Sequence, residues 1–149
     1  MNDAERLFGW RNDPLTRANS HETVPITWDQ HVSWLLKSLD DPTRAIFIAE
    51  VEGDPVGTVR IDRETGCCEL TWMVSPEHRR QGNGRRMVQQ AAQLVDGPIR
   101  ARIKVGNISS VKIAESVGMS CERIEGHIMH YRGGPFKPKT GVAKWNLNS

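Results

Sequence analysis

The sequence predicts an α/β fold of the α+β kind: a mixed, mostly antiparallel central sheet of about six strands, flanked by four helices. Three observations carry this. Ala45–Ala49 and Pro55–Ile61 are short runs rich in β-branched residues, joined at Gly53-Asp54, a hairpin signal. Stretches beginning at Thr27 and Met87 repeat apolar residues at helical spacing. Between them an apolar-rich run, Leu70 to Val74, ends at Pro76 and opens into a glycine-rich turn.

Taken in order, Asp3 to Arg11 carries Leu7, Phe8 and Trp10 in a helix that Asn12-Asp13-Pro14 ends, because the residue before proline is pushed out of helical geometry. Thr27-Trp28-Asp29-Gln30 reads as a capping box, and Trp28, Val32, Leu35, Leu36 and Leu39 form the apolar face behind it. Asp41-Pro42 closes that helix, and the hairpin strands follow. Thr65-Gly66 turns into the strand that leads to the glycines. Met87, Val88, Ala91, Ala92, Leu94 and Val95 make the next helix. Ile99 to Val105 alternates apolar and basic residues as a half-buried strand does, and Gly106-Asn107 breaks it. Ser109 to Val117 is a short helix with Gly118 as its left-handed cap. Beyond Met119 the chain reads as two strands around Gly133-Gly134-Pro135, closing with Val142 to Leu147.

Composition bounds the function. A chain of 149 residues without repeats or low-complexity segments suits one domain, residues 1–149, with a real core. A formal charge of +2, scattered rather than striped, argues against nucleic acid. No apolar run approaches the roughly 20 residues that span a bilayer, and no signal peptide opens the chain, so no membrane partner is expected. The three cysteines make neither a disulfide framework nor a metal cluster. Cys67 and Cys68 are neighbours that face opposite ways on a strand, and reduced thiols suit a cytoplasmic protein. The five histidines show no metal-ligand spacing, and no metal is expected.

Val74 to Met87 is where chemistry can be read. Gly82 and Gly84 remove Cβ atoms that would hold a ligand off the backbone, and the helix behind them offers unpaired N–H groups. With four nearby arginines this suits a pyrophosphate. The pair could also do no more than shape a strand-to-helix turn. A dinucleotide fingerprint would need a third glycine where Met87 stands, and the Gly-Lys-Ser/Thr of a nucleotide P-loop is not present. Arg79-x-x-Gly82-x-Gly84 between strand and helix resembles the acetyl-CoA pyrophosphate loop of the GNAT N-acetyltransferase superfamily. Asn107, Ser110, Ile113 and Gly118-Met119 match the family's second cofactor wall, and the resemblance covers nearly the whole chain.

The resemblance implies attack of a neutral amine on the thioester of acetyl-CoA, the co-substrate. Backbone groups of Met73 and Val74 would pair with the pantetheine arm, and the Val74 N–H would meet the thioester oxygen. Backbone N–H groups over Arg80, Gln81, Gly82, Asn83, Gly84 and Arg85 would cradle the pyrophosphate, with charge from Arg79, Arg80 and Arg85. Asn107 and Ser110 would line the other wall. The tyrosine many members use as general acid is replaced by Ala114, which leaves Tyr131, the only tyrosine, as the candidate acid. Glu69 is the candidate base, although it shares parity with Thr71 and Met73 rather than with Cys68 and Leu70, where such a base more often stands; a β-bulge could reverse this.

Family members usually begin with a strand, and here Met1 falls almost at the first helix, so that edge strand is expected to be missing and a homodimer through the exposed edge is open to the chain. The opening Trp10-Arg11-Asn12-Asp13-Pro14-x-x-Arg17, then Ile26-x-Trp28-x-x-His31-x-x-Trp34, resembles a branch that acetylates nucleotide-linked amino sugars in pseudaminic acid biosynthesis. That implies a primary amine on a UDP-linked sugar as partner, with Trp10, Arg11 and Asn12 binding it. Acetylation of protein N-termini or lysines, and acyl-CoA binding without catalysis, stay open.

Overall fold

A computed structural model of the chain describes residues 2–137. Its first helix, α1 (Asp3–Asn12), opens on a capping box in which the Asn2 side chain accepts from the Glu5 N–H and the Glu5 carboxylate accepts from the Asn2 N–H. Pro14 does more than end α1. Asp13 is forced extended (φ −57°, ψ 134°), and the proline then occupies the first turn of a second helix, α2 (Pro14–Ala18), with the Asp13 side chain capping Thr16. The sequence shows the break and conceals the restart, so the described residues hold five α-helices rather than four. The predicted capping box at Thr27 and Gln30 forms and starts α3 (Trp28–Asp40).

The buried side of α3 is narrower than its apolar residues suggest. His31 and Ser38 are buried, whereas Leu36 and Leu39 stay exposed. His31 sits among Phe8, Trp28 and Trp34 and bonds the Ala4 carbonyl at 2.8 Å, pinning α3 to α1. A buried imidazole needs such a partner, and a backbone oxygen supplies it.

The strands are β1 (Arg44–Val51), β2 (Asp54–Glu64), β3 (Cys67–Val74), β4 (Gly97–Lys104), β5 (Ser120–Glu125) and β6 (Ile128–Phe136), in the spatial order β1-β2-β3-β4-β6-β5. No strand precedes α1 among the described residues, and β1 lies at the edge. Four of the pairings are antiparallel; β3 and β4 alone run parallel, and only Cys68↔Ile99 and Glu69↔Arg100 pair between them. Beyond that point the two strands part.

The C-terminal hairpin differs from the prediction. Its turn is at Gly126-His127, while Gly133-Gly134-Pro135 lies inside β6. The proline is tolerated because β5 pairs no further than Arg132, so β6 has a free side there. Val142 to Leu147 lies outside the described residues.

The two faces of the sheet differ. Phe47, Val59, Ile61, Leu70, Ile99, Ala101 and Tyr131 pack beneath α4 (Asn83–Ala92) and α5 (Ile108–Ser116), where Met87, Val88, Ala91 and Ala114 close the core. The alternate residues, Arg44, Arg60, Asp62, Glu69, Arg100 and Arg102, take the opposite face, the one that carries α3 through the bond from Arg44 to Ser38. No helix among the described residues is long and apolar enough to cross a membrane.

Candidate active site

Where β3 and β4 part they leave a cleft of ≈ 370 Å³. Trp72, Met73 and Val74 form its floor, Arg79 to Arg85 and the start of α4 one wall, Asn107, Ser109, Ser110 and Ile113 the second, and Leu15, Thr16, Asn19 and Ser20 a third. The edge of β3 facing it has no partner strand past Glu69. The Ser75 N–H donates to Val56 on β2 at 2.8 Å, so by alternation along the strand the Val74 N–H points away from β2, into the opening. That is the direction a donor to a bound acyl oxygen requires.

Backbone geometry makes the glycine loop. Arg80 (φ 61°) and Gly82 (φ 77°) are both left-handed, which turns successive N–H groups to one side in an anion-binding concavity. The first bond inside α4 runs from the Arg86 N–H to the Gly82 carbonyl, and among the described residues no acceptor meets the N–H groups of Asn83, Gly84 or Arg85. The two glycines work differently. A Cβ on Gly82 would meet nothing within 4 Å, and its role is conformational. A Cβ on Gly84 would come within 2.5 Å of Ile113 Cδ1 and 3.2 Å of Val74 Cγ2, so Gly84 lets α4 approach α5 and the strand.

The arginines also divide. Arg79 Nη2 is held by Asp13 (2.5 Å) and Thr16 (3.0 Å), which ties the loop to α2 and spends that charge. Burial works against the ionised Asp13 carboxyl, but the bonds from Arg79 and Thr16 outweigh it and hold it below the usual range. Arg86 braces the loop through the Gln81 carbonyl and Asn83 Oδ1. Arg80 and Arg85 line the cleft, exposed and without an ion pair among the described residues, and are the charges open to a ligand. Asn83 is buried and donates to the His78 carbonyl, while Gln81 is not part of the cleft lining.

On the second wall the Asn107 side chain caps α5 by accepting from the Ser110 N–H, and Ser110 Oγ accepts from Trp72 Nε1 at 3.2 Å. Trp72 and His78 are cleft residues the sequence reading missed. The imidazole of His78 joins Ser75 Oγ (2.5 Å) to Asp54 Oδ2 (2.8 Å), linking the ends of three segments, and no local spacing announces it.

Several predicted residues lie elsewhere. Tyr131 is 5 % exposed in the core opposite Ala101, outside the cleft lining, and burial pushes its hydroxyl pKa up. Glu69 is also 5 % exposed and is held by Arg100 (3.1 Å) and Arg102 (2.7 Å), with the parity the sequence indicates and no bulge in its pairing with β2. Neither is placed to exchange a proton in the cleft. Asn12 spends both ends of its amide on the backbone of Ile26 at 2.9 Å, and Arg11 donates to the Glu22 carbonyl at 3.0 Å. With Arg17, which donates to the Thr23 carbonyl, they clasp the 19–26 segment; Trp10 is half-buried, outside the cleft lining. These residues position a wall and do not line the cleft.

The profile of the acetyltransferase (GNAT) domain family matches residues 1–120. No match to a curated protein reaches significance. Among solved structures, a spermidine N-acetyltransferase from Vibrio cholerae in complex with CoA and spermine is 17 % identical, with a TM-score of 0.75 over 87 % of this chain and 88 % of that one. A domain from Methanocaldococcus jannaschii DSM 2661 is 22 % identical, with a TM-score of 0.77 over 89 % and 93 %. AAC(6')-Ib in complex with ribostamycin and coenzyme A is 16 % identical, with a TM-score of 0.74 over 88 % and 87 %. At these identities the likeness is one of fold.

Proposed function

The chain belongs to the acetyltransferase (GNAT) domain family, and on that premise we propose that it is an acetyl-CoA-dependent N-acetyltransferase acting on a primary amine of a small molecule. The observation that carries the reading is a coincidence of two features in one cleft. An unpaired strand edge at Met73 and Val74 runs straight into an uncapped helix N-terminus with left-handed residues before it. The residues fit the co-substrate: the N–H groups of Asn83, Gly84 and Arg85 with Arg80 and Arg85 suit its pyrophosphate, and the strand edge with Asn107 suits its amide-bearing arm.

When bound, acetyl-CoA supplies an acetyl thioester, and the amine nitrogen bonds to its carbonyl carbon as the carbon–sulfur bond breaks and the thiolate takes a proton. The Val74 N–H, aimed into the opening, stabilises the charge that develops on the carbonyl oxygen. Trp72 on the floor and Ile113 on the second wall bring apolar surface to the cleft. With Tyr131 and Glu69 in buried positions, we assign the proton steps to solvent reached through the cleft mouth. The chemistry of spermidine and aminoglycoside enzymes among the structural relatives supports an amine acceptor. The finer reading, a nucleotide-linked amino sugar, is supported by the Trp10-Arg11-Asn12 opening that shapes the third wall. Free thiols at Cys67, Cys68 and Cys121 support a cytoplasmic setting.

Thermal unfolding with saturating acetyl-CoA, CoA and ATP tests the cofactor site. Ligand at about a hundred times its dissociation constant adds roughly 2.7 kcal/mol of stability, so both CoA forms should raise Tm clearly and ATP little. No shift with any of them would reduce the glycine loop to a turn. CoA release with a panel of UDP-linked amino sugars then tests the acceptor, and cofactor binding without release from any of them would remove the sugar assignment.

A further inference from the structure

Past Glu69↔Arg100, β4 parts from β3 and continues beside β6 on the far side of the cleft, with Ile99, Ala101 and Ile103 buried beneath the helices. Its other residues, Arg100, Arg102 and Lys104, therefore stand on the opposite face along the lip where the strands part. The 18–26 segment folds onto this lip: Lys104 Nζ donates to the Ala18 carbonyl at 2.9 Å, and Arg11 and Arg17 hold the carbonyls of Glu22 and Thr23. His21 on that segment has its pKa lowered first by burial and next by Arg102, with Lys104 acting in the same sense and Glu69 opposing, which sets the imidazole in the field of all three.

Charge on this lip does not balance. Arg100 and Arg102 share Glu69, and Arg100 also meets Glu64. Lys104 and Arg17 bond only backbone oxygens; Arg11 does the same, with the Glu22 carboxylate in its field. Arg132 stands beside Arg100 on β6, and no ion pair holds it among the described residues. The carboxylates that face the group are Glu22, Glu64 and Glu69, with Glu125 beyond them on β5 bonded to Arg123 and His130, against six fixed cations: Arg11, Arg17, Arg100, Arg102, Lys104 and Arg132. Two guanidinium nitrogens in the set, Arg11 Nη1 and Arg100 Nε, are buried with no acceptor among the described residues. A polycation such as spermidine would meet like charge here, and like charge in a partly desolvated site is costly.

We propose that the acceptor bears an anionic group such as a phosphate beside its amine, and that this group docks against Arg102 and Lys104 on the β4 lip. This rests on the transferase reading, because it takes the lip as the acceptor's side of the thioester. Arg102 is fit for the role: its side chain is 44 % exposed, its fork is oriented by Glu69, and Glu69 keeps Arg100 if Arg102 is removed. Lys104 adds a point charge at the edge of the segment that covers the lip.

The test is calorimetric titration of CoA, then of uridine diphosphate or spermidine into the CoA-saturated protein, whose pyrophosphate loop is already filled. Uridine diphosphate should bind the CoA complex, and more weakly as salt is raised. Arg102→Gln and Lys104→Gln should each weaken it about tenfold, the loss of one charge-assisted contact, with CoA affinity unchanged. Absent binding of uridine diphosphate, binding equal in both variants, or tighter binding of spermidine would each overturn the anionic acceptor and leave the transferase reading standing. Failure of CoA itself to bind would instead overturn the transferase reading, and this inference with it.

Discussion

The two faces of the central sheet share one backbone and have opposite chemistry. Beneath α4 and α5 the face is dry, with Leu70 and Ile99 almost fully enclosed. On the other, Arg44 and Arg60 share Asp62, and Arg100 and Arg102 share Glu69. The cleft opens where β3 and β4 part and both faces reach it. The difference teaches a division of labour: the wall proposed for the cofactor is built from backbone donors and small residues that packing holds still, whereas the lip proposed for the acceptor is built from long side chains that hydrogen bonds hold.

If that division is right, neighbouring residues should respond very differently. Leu70→Ala should cost about 2–5 kcal/mol of stability in chemical denaturation, the range for a large-to-small change in a packed core. Thr71→Ala, one residue on and facing the exposed side, should stay within about 0.5 kcal/mol. Equal losses would break the comparison at its root.

Glu69 comes next. Glu69→Gln should cost about 1.5–3 kcal/mol, the worth of hydrogen bonds to a charged group, because it weakens the hold on two arginines together. Its kcat should fall no further than that of a control destabilised equally elsewhere. A collapse of kcat with stability intact would make Glu69 a base and contradict its placement.

On the cofactor wall, Gly82→Ala should cost about 1–2 kcal/mol from left-handed backbone alone, since its new methyl group meets nothing. The loss should appear in CoA affinity at least as strongly as in Tm. Gly84→Val should weaken CoA binding through a different route, by pushing Ile113 into the cleft, and cofactor titration of both variants separates the two roles.

The smallest effect concerns the clasp between the walls. The folded Asp13 carboxyl ionises more readily than the free side chain, so the unfolded chain takes up that proton first as pH falls. Its contribution is therefore complete above about pH 4 and is lost below it, stability rising with pH through the acid range. Asp13→Asn should flatten that part of the stability profile and release Arg79; a profile identical to the parent chain's would show that the clasp carries no stability.

Much of the site was legible because it is local. Capping at Thr27, the glycine loop and the Gly118 cap depend on residues a few positions apart, and their geometry formed as the spacing indicated. The parity of Glu69 could also be counted along the strand. Misreadings arose where one signal serves two structures. Pro14 ends a helix and also begins one, and Gly133-Gly134-Pro135 suits a turn as well as a one-sided strand end.

By itself, then, the sequence determined the fold class, the strand that leads into a helix N-terminus and the glycine turn between them, because periodicity and capping act over a single turn or strand. Only the tertiary structure decided which side chains remain free to act. It sent Tyr131 to the core, neutralised Glu69 and Arg79, and used Arg11 and Asn12 as clasps, since each of those fates depends on a partner distant in the chain, and no local pattern encodes a partner's position.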